Sequence, residues 1–213
     1  GLAAANAVYG ALCAMAQTDL KRLIAYSSIA HLGFCLLGVF SRTSQGLVGG
    51  GLQMINHGIT TGALFLMVGF LYERSHQRGL SDFGGLAARA PWLAFFFGFS
   101  TLASIGLPGL NGFVGEFMCL SGIAKSAVPF LAVPFFAVAG VIAVTLSAAY
   151  ALPAYQAVFW APEGPDSVSA RVTDLDLREK VILWVLSALM LWIGLAPQRF
   201  LTLLEPSLRS LVR

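Results

Sequence analysis

The chain has 213 residues, of which 57% are hydrophobic and only 11% are charged, and its mean hydropathy is +0.79. A soluble domain carries about a quarter charged residues. This composition therefore excludes a soluble domain and indicates an integral membrane protein. The net charge of +3 is modest, and no run of Lys and Arg with interleaved aromatics indicates a nucleic-acid partner. The cysteines lie apart in apolar segments without zinc spacing, so we interpret them as packing residues: Cys13, Cys35 and Cys119.

Six apolar stretches predict membrane-spanning helices, because roughly 20 apolar residues cross a bilayer as a helix and no stretch alternates like a barrel strand. The expected fold class is therefore an all-α, polytopic transmembrane helical bundle. Residues 1–213 are treated as one membrane domain that is truncated at its start, since Gly1 is not a methionine and the sequence opens within apolar residues without a basic signal region. The predicted segments are 1–16 (incomplete), 20–40, 47–72, 91–124, 128–160 and 180–197.

Basic residues in the loops predict the orientation. The loops after segments one, three and five hold more Lys and Arg than the opposite side with the tail, which favours odd-numbered loops in the cytoplasm and the C-terminus outside. The stretch 161–180 is rich in turn formers and charges and is predicted to be a solvated cytoplasmic connector. The tail, 198–213, mixes apolar and charged residues and is predicted to lie along the membrane surface or a partner. Pro206 argues against a single continuous helix in this tail.

Segment four, 91–124, is too long for one ordinary crossing and too short for two crossings with a loop. It is therefore predicted to be one interrupted helix, with a first half beginning near Trp92 and a second half starting around Phe113. Membrane proteins tolerate such breaks where protein or a water-filled cavity satisfies the freed backbone groups. The residues predicted to form the break are Pro108, Gly109, Asn111 and Gly112.

Glu116 is the strongest candidate for a functional residue. On this interpretation it lies in the first turn of the second half-helix, where the positive end of the helix dipole favours a carboxylate. An ionisable residue within a membrane segment costs about 2.5–3.5 kcal/mol on insertion scales, so it is a functional candidate by default. The alternative is a structural glutamate that pairs with a neighbouring subunit or caps the broken helix.

Three further residues are candidates for a proton path. His57 lies near the middle of segment three beside residues that can hydrogen-bond to it, and His31 lies midway along segment two. Histidine passes protons near neutral pH, although a neutral core histidine is an equal alternative for both. Lys21 flanks the start of segment two, where an interfacial anchor is the commoner role. No nucleophilic triad, paired carboxylates, metal cluster or haem or flavin motif is apparent, so the pattern suits proton movement rather than redox chemistry.

Three stretches carry a resemblance to a known family: QTDLKRLIAYSSIAHLGF, QMINHGITTGALFLMVGFLYER and GLPGLNGFVGEF. They resemble the antiporter-like subunits of respiratory complex I, and most closely the M type of bacterial NADH:quinone oxidoreductase, which corresponds to mitochondrial NADH dehydrogenase subunit 4. The M type carries glutamate at the position of Glu116, whereas sister subunits typically carry lysine. The resemblance spans essentially the whole chain and is firmest from about 17 to 120.

The resemblance implies a fold of two inverted helical repeats, of which this chain would supply most of the second, and the orientation given above. It also implies a proton-translocating membrane subunit driven by quinone reduction elsewhere in the complex. Glu116 would end a polar axis through the membrane arm, with His31 and His57 beside it. The glutamate and lysines of the family's first repeat have no counterpart here, so this chain would not form a complete proton channel.

The same resemblance implies the surroundings of the chain. No cofactor is expected in it, because NADH, flavin, iron–sulfur clusters and quinone would be bound by partner subunits, and the enzyme activity would belong to the assembly. The expected partners are other membrane-arm subunits, especially neighbouring antiporter-like ones, and the lipid of a bacterial inner membrane. The alternatives are a subunit of a multisubunit sodium/proton antiporter, which a lysine at position 116 would favour, the membrane arm of an energy-converting hydrogenase, and a chain that only scaffolds its neighbours.

Overall fold

The computed structural model describes residues 1–127, 132–164 and 167–209, which form nine α-helices and no β-strand. The predicted all-α bundle is confirmed. The start of the predicted segment 128–160 and the end of the tail, 210–213, lie outside the described residues. The helices are α1 Leu2–Met15, α2 Leu20–Phe40, α3 Ser44–Ser75, α4 Leu86–Arg89, α5 Pro91–Ser104, α6 Asn111–Ala124, α7 Ala132–Phe159, α8 Leu177–Leu195 and α9 Gln198–Arg209.

Three of these helices, α2, α3 and α7, are individually long and apolar enough to cross a membrane. Within the described residues, α8 and α9 pass the same test only as a pair, and they are bent by 77°. Each half of the predicted broken segment, α5 and α6, has 14 residues. A helix of this length rises about 21 Å, which is less than the roughly 30 Å of a hydrocarbon core, so neither half crosses alone.

The predicted interruption of segment four is confirmed between Ser104 and Asn111. Two glycines turn the chain there, Gly106 with φ +76° and Gly109 with φ +94°, and residues with a side chain rarely adopt such angles. Pro108 lies between them, as predicted. Helix α8 packs closely against the break. A Cβ added to Gly194 of α8 would collide with the Gly109 carbonyl oxygen.

The second half-helix begins earlier than predicted. Asn111 and Gly112 were expected in the break, but both lie in the first turn of α6, and Glu116 therefore lies in the second turn rather than the first. The physical reason is that Asn111 is anchored to α3 by its own backbone carbonyl and side-chain amide, so the helix starts at this fixed residue. A Cβ at Gly112 would collide with the Ala103 carbonyl oxygen, so its role is close packing.

The loops after α1, α3 and α7 meet on one side of the bundle. Leu20 N donates to the Arg78 carbonyl and Val168 N donates to the Asp82 carbonyl. In the same region Arg89 lies beside Glu163 at 2.8 Å, and this hydrogen bond lowers the pKa of the Glu163 carboxyl below its ordinary value. The shared side of these three loops agrees with the predicted topology.

Residues 165 and 166 of the predicted connector 161–180 lie outside the described residues, and several of the others are packed against the bundle rather than solvated. The last residues of this connector are already helical, since α8 begins at Leu177 with a capping box formed by Asp176 and Glu179. Glu179 also binds Arg74 of α3 at 2.6 Å, and Ser169 is fully buried. The segment was expected to be solvated because it is polar, but its polar groups bind other loops and helix ends.

The tail helix, α9, continues through Pro206. The expectation that Pro206 divides the tail is therefore wrong for the described residues. A proline removes one helical hydrogen bond, here to the carbonyl of Thr202, and the exposed position of Thr202 leaves that carbonyl near the surface of the bundle. Along its other face α9 packs against α3, where Leu208 lies next to Gly51.

We expect Gly33→Ala to destabilise the bundle, because a Cβ at Gly33 would collide with the backbone of Ala7 on α1. Overpacking of this kind costs about 1–3 kcal/mol. The measurement is the midpoint temperature of thermal unfolding of the solubilised protein. Gly62→Ala is the matched control, since a Cβ there has no neighbour within 4 Å. Equal midpoints for the two variants would contradict the close α1–α2 contact.

A second prediction concerns Asp174, whose carboxylate accepts hydrogen bonds from Trp92 N at 3.2 Å and Leu93 N at 3.1 Å, in the first turn of α5. Loss of such a cap costs about 1 kcal/mol. Asp174→Ala should therefore lower the thermal midpoint, whereas Glu73→Ala, at an exposed residue near the end of α3, should leave it unchanged. A midpoint for Asp174→Ala equal to that of the control would show that the cap does not hold α5.

Candidate functional site

The Glu116 side chain lies at the centre of the bundle and is 5% exposed. Its Oε1 atom is 3.6 Å from His31 Nδ1 and accepts a hydrogen bond of 3.4 Å from Gln53 Nε2. Its Oε2 atom faces the helix break, where a Cβ built on Gly106 would collide with it. The carboxylate is thus held by α2 on one side, by α3 on another and by the glycine of the break.

The two histidines that sequence analysis singled out lie side by side. Their ring centroids are 5.2 Å apart and their planes are tilted by 36°. His31 Nε2 is 3.4 Å from Ser104 Oγ, at the end of α5, and His57 Nδ1 is 3.1 Å from Thr61 Oγ1. The donor in each of these contacts depends on the tautomer of the ring. The structure therefore places Glu116, His31 and His57 in one continuous line across α6, α2 and α3.

A buried amide network joins α3 to the start of α6. Asn56 Nδ2 donates to the Asn111 carbonyl at 2.7 Å and contacts Gln53 Oε1 at 3.4 Å, while Asn111 Nδ2 donates to the Asn56 carbonyl at 3.2 Å and to Thr60 Oγ1 at 3.2 Å. Because Gln53 Oε1 is engaged by Asn56, its Nε2 is the group that faces Glu116. The network thereby fixes both the first turn of α6 and the orientation of the amide that contacts the carboxylate.

Sequence analysis missed Gln53 and Ser104 as members of this site and treated Asn111 only as a turn former. A signal for Gln53 was present, because four polar residues on α3 follow the i, i+3, i+4, i+7 spacing of one helical face: Gln53, Asn56, His57 and Thr60. No comparable signal marks Ser104. Its contact with His31 depends on where the first half-helix ends.

Two small cavities flank His31. One, of about 10 Å³, lies between His31, Glu116 and Ser147 of α7. The other, also about 10 Å³, lies between the two histidines and is lined by Asn56, whose Oδ1 atom is buried without a hydrogen-bond partner in the described part of the chain. A cavity of about this size holds one water molecule where polar partners surround it.

Lys21 is not part of this arrangement. It lies in the first turn of α2 and is exposed, whereas His31 lies about three turns further along the helix. The residues predicted to form the break have separate positions as well: Pro108 is exposed, and Gly109 contacts α8. The structure thus brings together Glu116, His31 and His57 and leaves Lys21 at the end of the bundle.

The arrangement can hold and move a proton. A carboxylate and two imidazoles are titratable groups, and hydroxyl side chains lie next to both rings. The 3.6 Å between Glu116 Oε1 and His31 Nδ1 exceeds a hydrogen bond, so direct transfer requires an approach of about 0.5 Å. Burial removes competing bulk water from the carboxylate, so its proton exchange depends on these neighbours.

Comparisons with known proteins show the family of the chain. Residues 1–162 match the family model described as NADH:quinone oxidoreductase/Mrp antiporter, TM. The NADH-quinone oxidoreductase subunit M of Rhodobacter capsulatus is 44% identical over 212 residues, which are 100% of this chain and 40% of that protein. The chain thus spans about 40% of the length of this curated relative.

Solved structures show the same architecture. A chain of respiratory complex I from Thermus thermophilus is 40% identical, with a TM-score of 0.88 over 99% of this chain and 43% of that one. A chain of the Mrp complex from Dietzia is 22% identical with a TM-score of 0.81, over 95% of this chain and 45% of that one, and it shows the fold alone. With a family model that matches residues 1–162, this multi-pass membrane chain belongs to the NADH:quinone oxidoreductase/Mrp antiporter transmembrane family.

Proposed function

We propose that the chain is part of a proton-translocating membrane subunit of an NADH:quinone oxidoreductase. The observation that carries the proposal is the buried contact of Glu116 with His31 and Gln53 beside a helix break. A carboxylate without a titratable neighbour would be explained by packing or assembly alone. Here a second titratable group faces it, and a third follows within 5.2 Å of the second. Such a line can accept a proton at one end and release it at the other.

Glu116 is the terminal proton carrier in this proposal, and His31 exchanges protons with it. Gln53 donates to the carboxylate and compensates its charge while the proton is absent. His57 supplies His31 from the α3 side. In this proposal Lys21 is an interfacial anchor. Its alternative role is that of a further member of the proton path.

The partners and surroundings follow from the family. The relatives named above belong to complexes of several membrane subunits, and we propose the same setting for this chain, beside other antiporter-like subunits in a bacterial inner membrane. NADH, flavin, iron–sulfur clusters and quinone are then bound by partner subunits, and the enzyme activity belongs to the whole complex. The excess of basic residues on the side where the loops after α1, α3 and α7 meet supports a cytoplasmic location for that side.

A subunit of a multisubunit sodium/proton antiporter is the second candidate, because part of one chain of an Mrp complex has the same fold. The immediate surroundings of Glu116 favour the proton. Its Oε1 atom faces two nitrogen atoms, of His31 and Gln53, whereas a hard cation such as sodium requires a shell of oxygen ligands.

Glu116→Gln should abolish or strongly reduce proton pumping while the complex still assembles, because glutamine has a similar shape but cannot carry the proton. The measurement is proton uptake per NADH oxidised in vesicles that contain the whole complex. Glu163→Gln is the matched control, since that carboxylate lies in an exposed ion pair of a loop. Unchanged pumping by Glu116→Gln would exclude the relay role, and failed assembly would favour the structural role.

The ion can be tested separately. Vesicles that contain the complex should build the same pH gradient in sodium-free potassium buffer as in sodium buffer, because nitrogen atoms of His31 and Gln53 face Glu116 Oε1, whereas hard cations take oxygen ligands. A gradient that depends on sodium concentration would favour the antiporter function. Labelled sodium uptake serves as the independent readout.

A further inference from the structure

A third cavity lies between α2, α3, α5 and α7, apart from the contact between Glu116 and His31. It encloses about 20 Å³. Hydrophobic residues form most of its wall, and the polar residues in the wall are Ser27, Thr101, Ser104 and Tyr150. A buried water needs about 10–15 Å³ and two to four polar partners, so this cavity has the size and the polarity for one water molecule.

The Tyr150 hydroxyl gives the second observation. Tyr150 is 4% exposed, and its Oη atom has no hydrogen-bond partner of ordinary geometry in the described part of the chain. Ser27 lies close to it and donates its own hydroxyl to the Ile24 carbonyl at 2.8 Å, but the Ser27 oxygen is not in hydrogen-bond geometry with the tyrosine. Buried hydroxyls without a partner are rare in native proteins, and polar groups slightly out of reach of one another are commonly bridged by water.

We propose that a water molecule bound to Tyr150 occupies this cavity and forms a side branch that delivers protons to His31 through Ser104. Ser104 connects the cavity to His31, because it lines this cavity and its Oγ atom is 3.4 Å from His31 Nε2. It also lines the cavity between the two histidines. The proton-carrying role rests on the proposed function, whereas the water site itself does not.

The transfer balances without any further reactant. An incoming proton binds the oxygen of the water, which releases one of its own hydrogens to Ser104 Oγ. Ser104 passes its hydroxyl hydrogen to His31 Nε2, and His31 releases the proton on Nδ1 to Glu116 Oε1. The Tyr150 hydroxyl keeps its proton throughout and only holds the water. Tyr150 is therefore a positioning residue.

The proposed branch leads from His31 toward the end of the bundle where α2 begins. Its cavity wall includes Leu20, Leu23 and Ile24, which are among the first residues of α2, so the cavity extends from Ser104 toward the end of the bundle where α2 begins. Lys21 is exposed at that same end. The route reaches His31 without passing through His57, so His31 receives protons from two sides.

The test is Tyr150→Phe in the intact complex, which removes one oxygen atom and little else. Tyr155→Phe is the matched control on the same helix, because the Tyr155 hydroxyl donates to the Ala94 carbonyl at 3.2 Å and Tyr155 does not line this cavity. The first measurement is a cryo-electron microscopy map that shows ordered water. We expect density within hydrogen-bond reach of Tyr150 Oη in the wild type and in Tyr155→Phe, and loss of that density in Tyr150→Phe.

The second measurement is the number of protons pumped per NADH oxidised. It should fall in Tyr150→Phe and stay at the wild-type value in Tyr155→Phe. Absence of the water in the wild type, or its persistence in Tyr150→Phe, would overturn the site. Loss of the water with unchanged pumping would overturn the branch, even where Glu116→Gln still abolishes pumping. Normal pumping by Glu116→Gln would instead refute the proposed function, while the water density at Tyr150 would be unaffected.

Discussion

The structure depends on one constraint, which is that a carboxylate buried among apolar helices needs partners that are built around it. A charge in a membrane interior costs at least about 2.5 kcal/mol, and this cost falls only where hydrogen-bond donors face the group. Glu116 meets the requirement with one contact from α2 and one from α3. The break before α6 leaves space for its second oxygen, because Gly106 has no side chain. The helix break and the buried charge are therefore two parts of the same feature.

Small residues on α6 make these contacts possible. A Cβ at Gly115 would collide with the Gln53 side chain, and a Cβ at Gly122 would collide with the backbone of Gly46. Glycine at both positions lets α3 approach α6 closely along its length, which small residues commonly permit between membrane helices. Gln53 then reaches Glu116, the residue that follows Gly115. The packing of glycines thus determines the polar contact, although the two features look unrelated in the sequence.

The sequence predicted the parts of this architecture that follow from composition and local pattern. The apolar stretches predicted the bundle, the length of 91–124 predicted the broken helix, and the position of Glu116 predicted a buried charge. The predictions were wrong where a contact between residues distant in the sequence determines the local structure. Asn111 starts α6 because it binds α3, and Asp174 and Glu179 of the predicted connector are held by the start of α5 and the end of α3. Residues 55 positions apart in the sequence, as Asn56 and Asn111 are, leave no pattern that a single sequence can show.

The polar contacts in the site differ in length, and this difference indicates where the proposed proton line would open and close. Asn56 and Asn111 are joined by two hydrogen bonds, the shorter of 2.7 Å, which fasten the first turn of α6 to α3. By contrast, His31 meets the carboxylate at 3.6 Å and Ser104 at 3.4 Å, both at or beyond the limit of a hydrogen bond. A small shift of α2 would change both contacts together, while the amide network, which joins α3 to α6, stayed intact. If the proposed proton line is right, His31 is therefore the position at which movement of the bundle would most directly alter proton transfer.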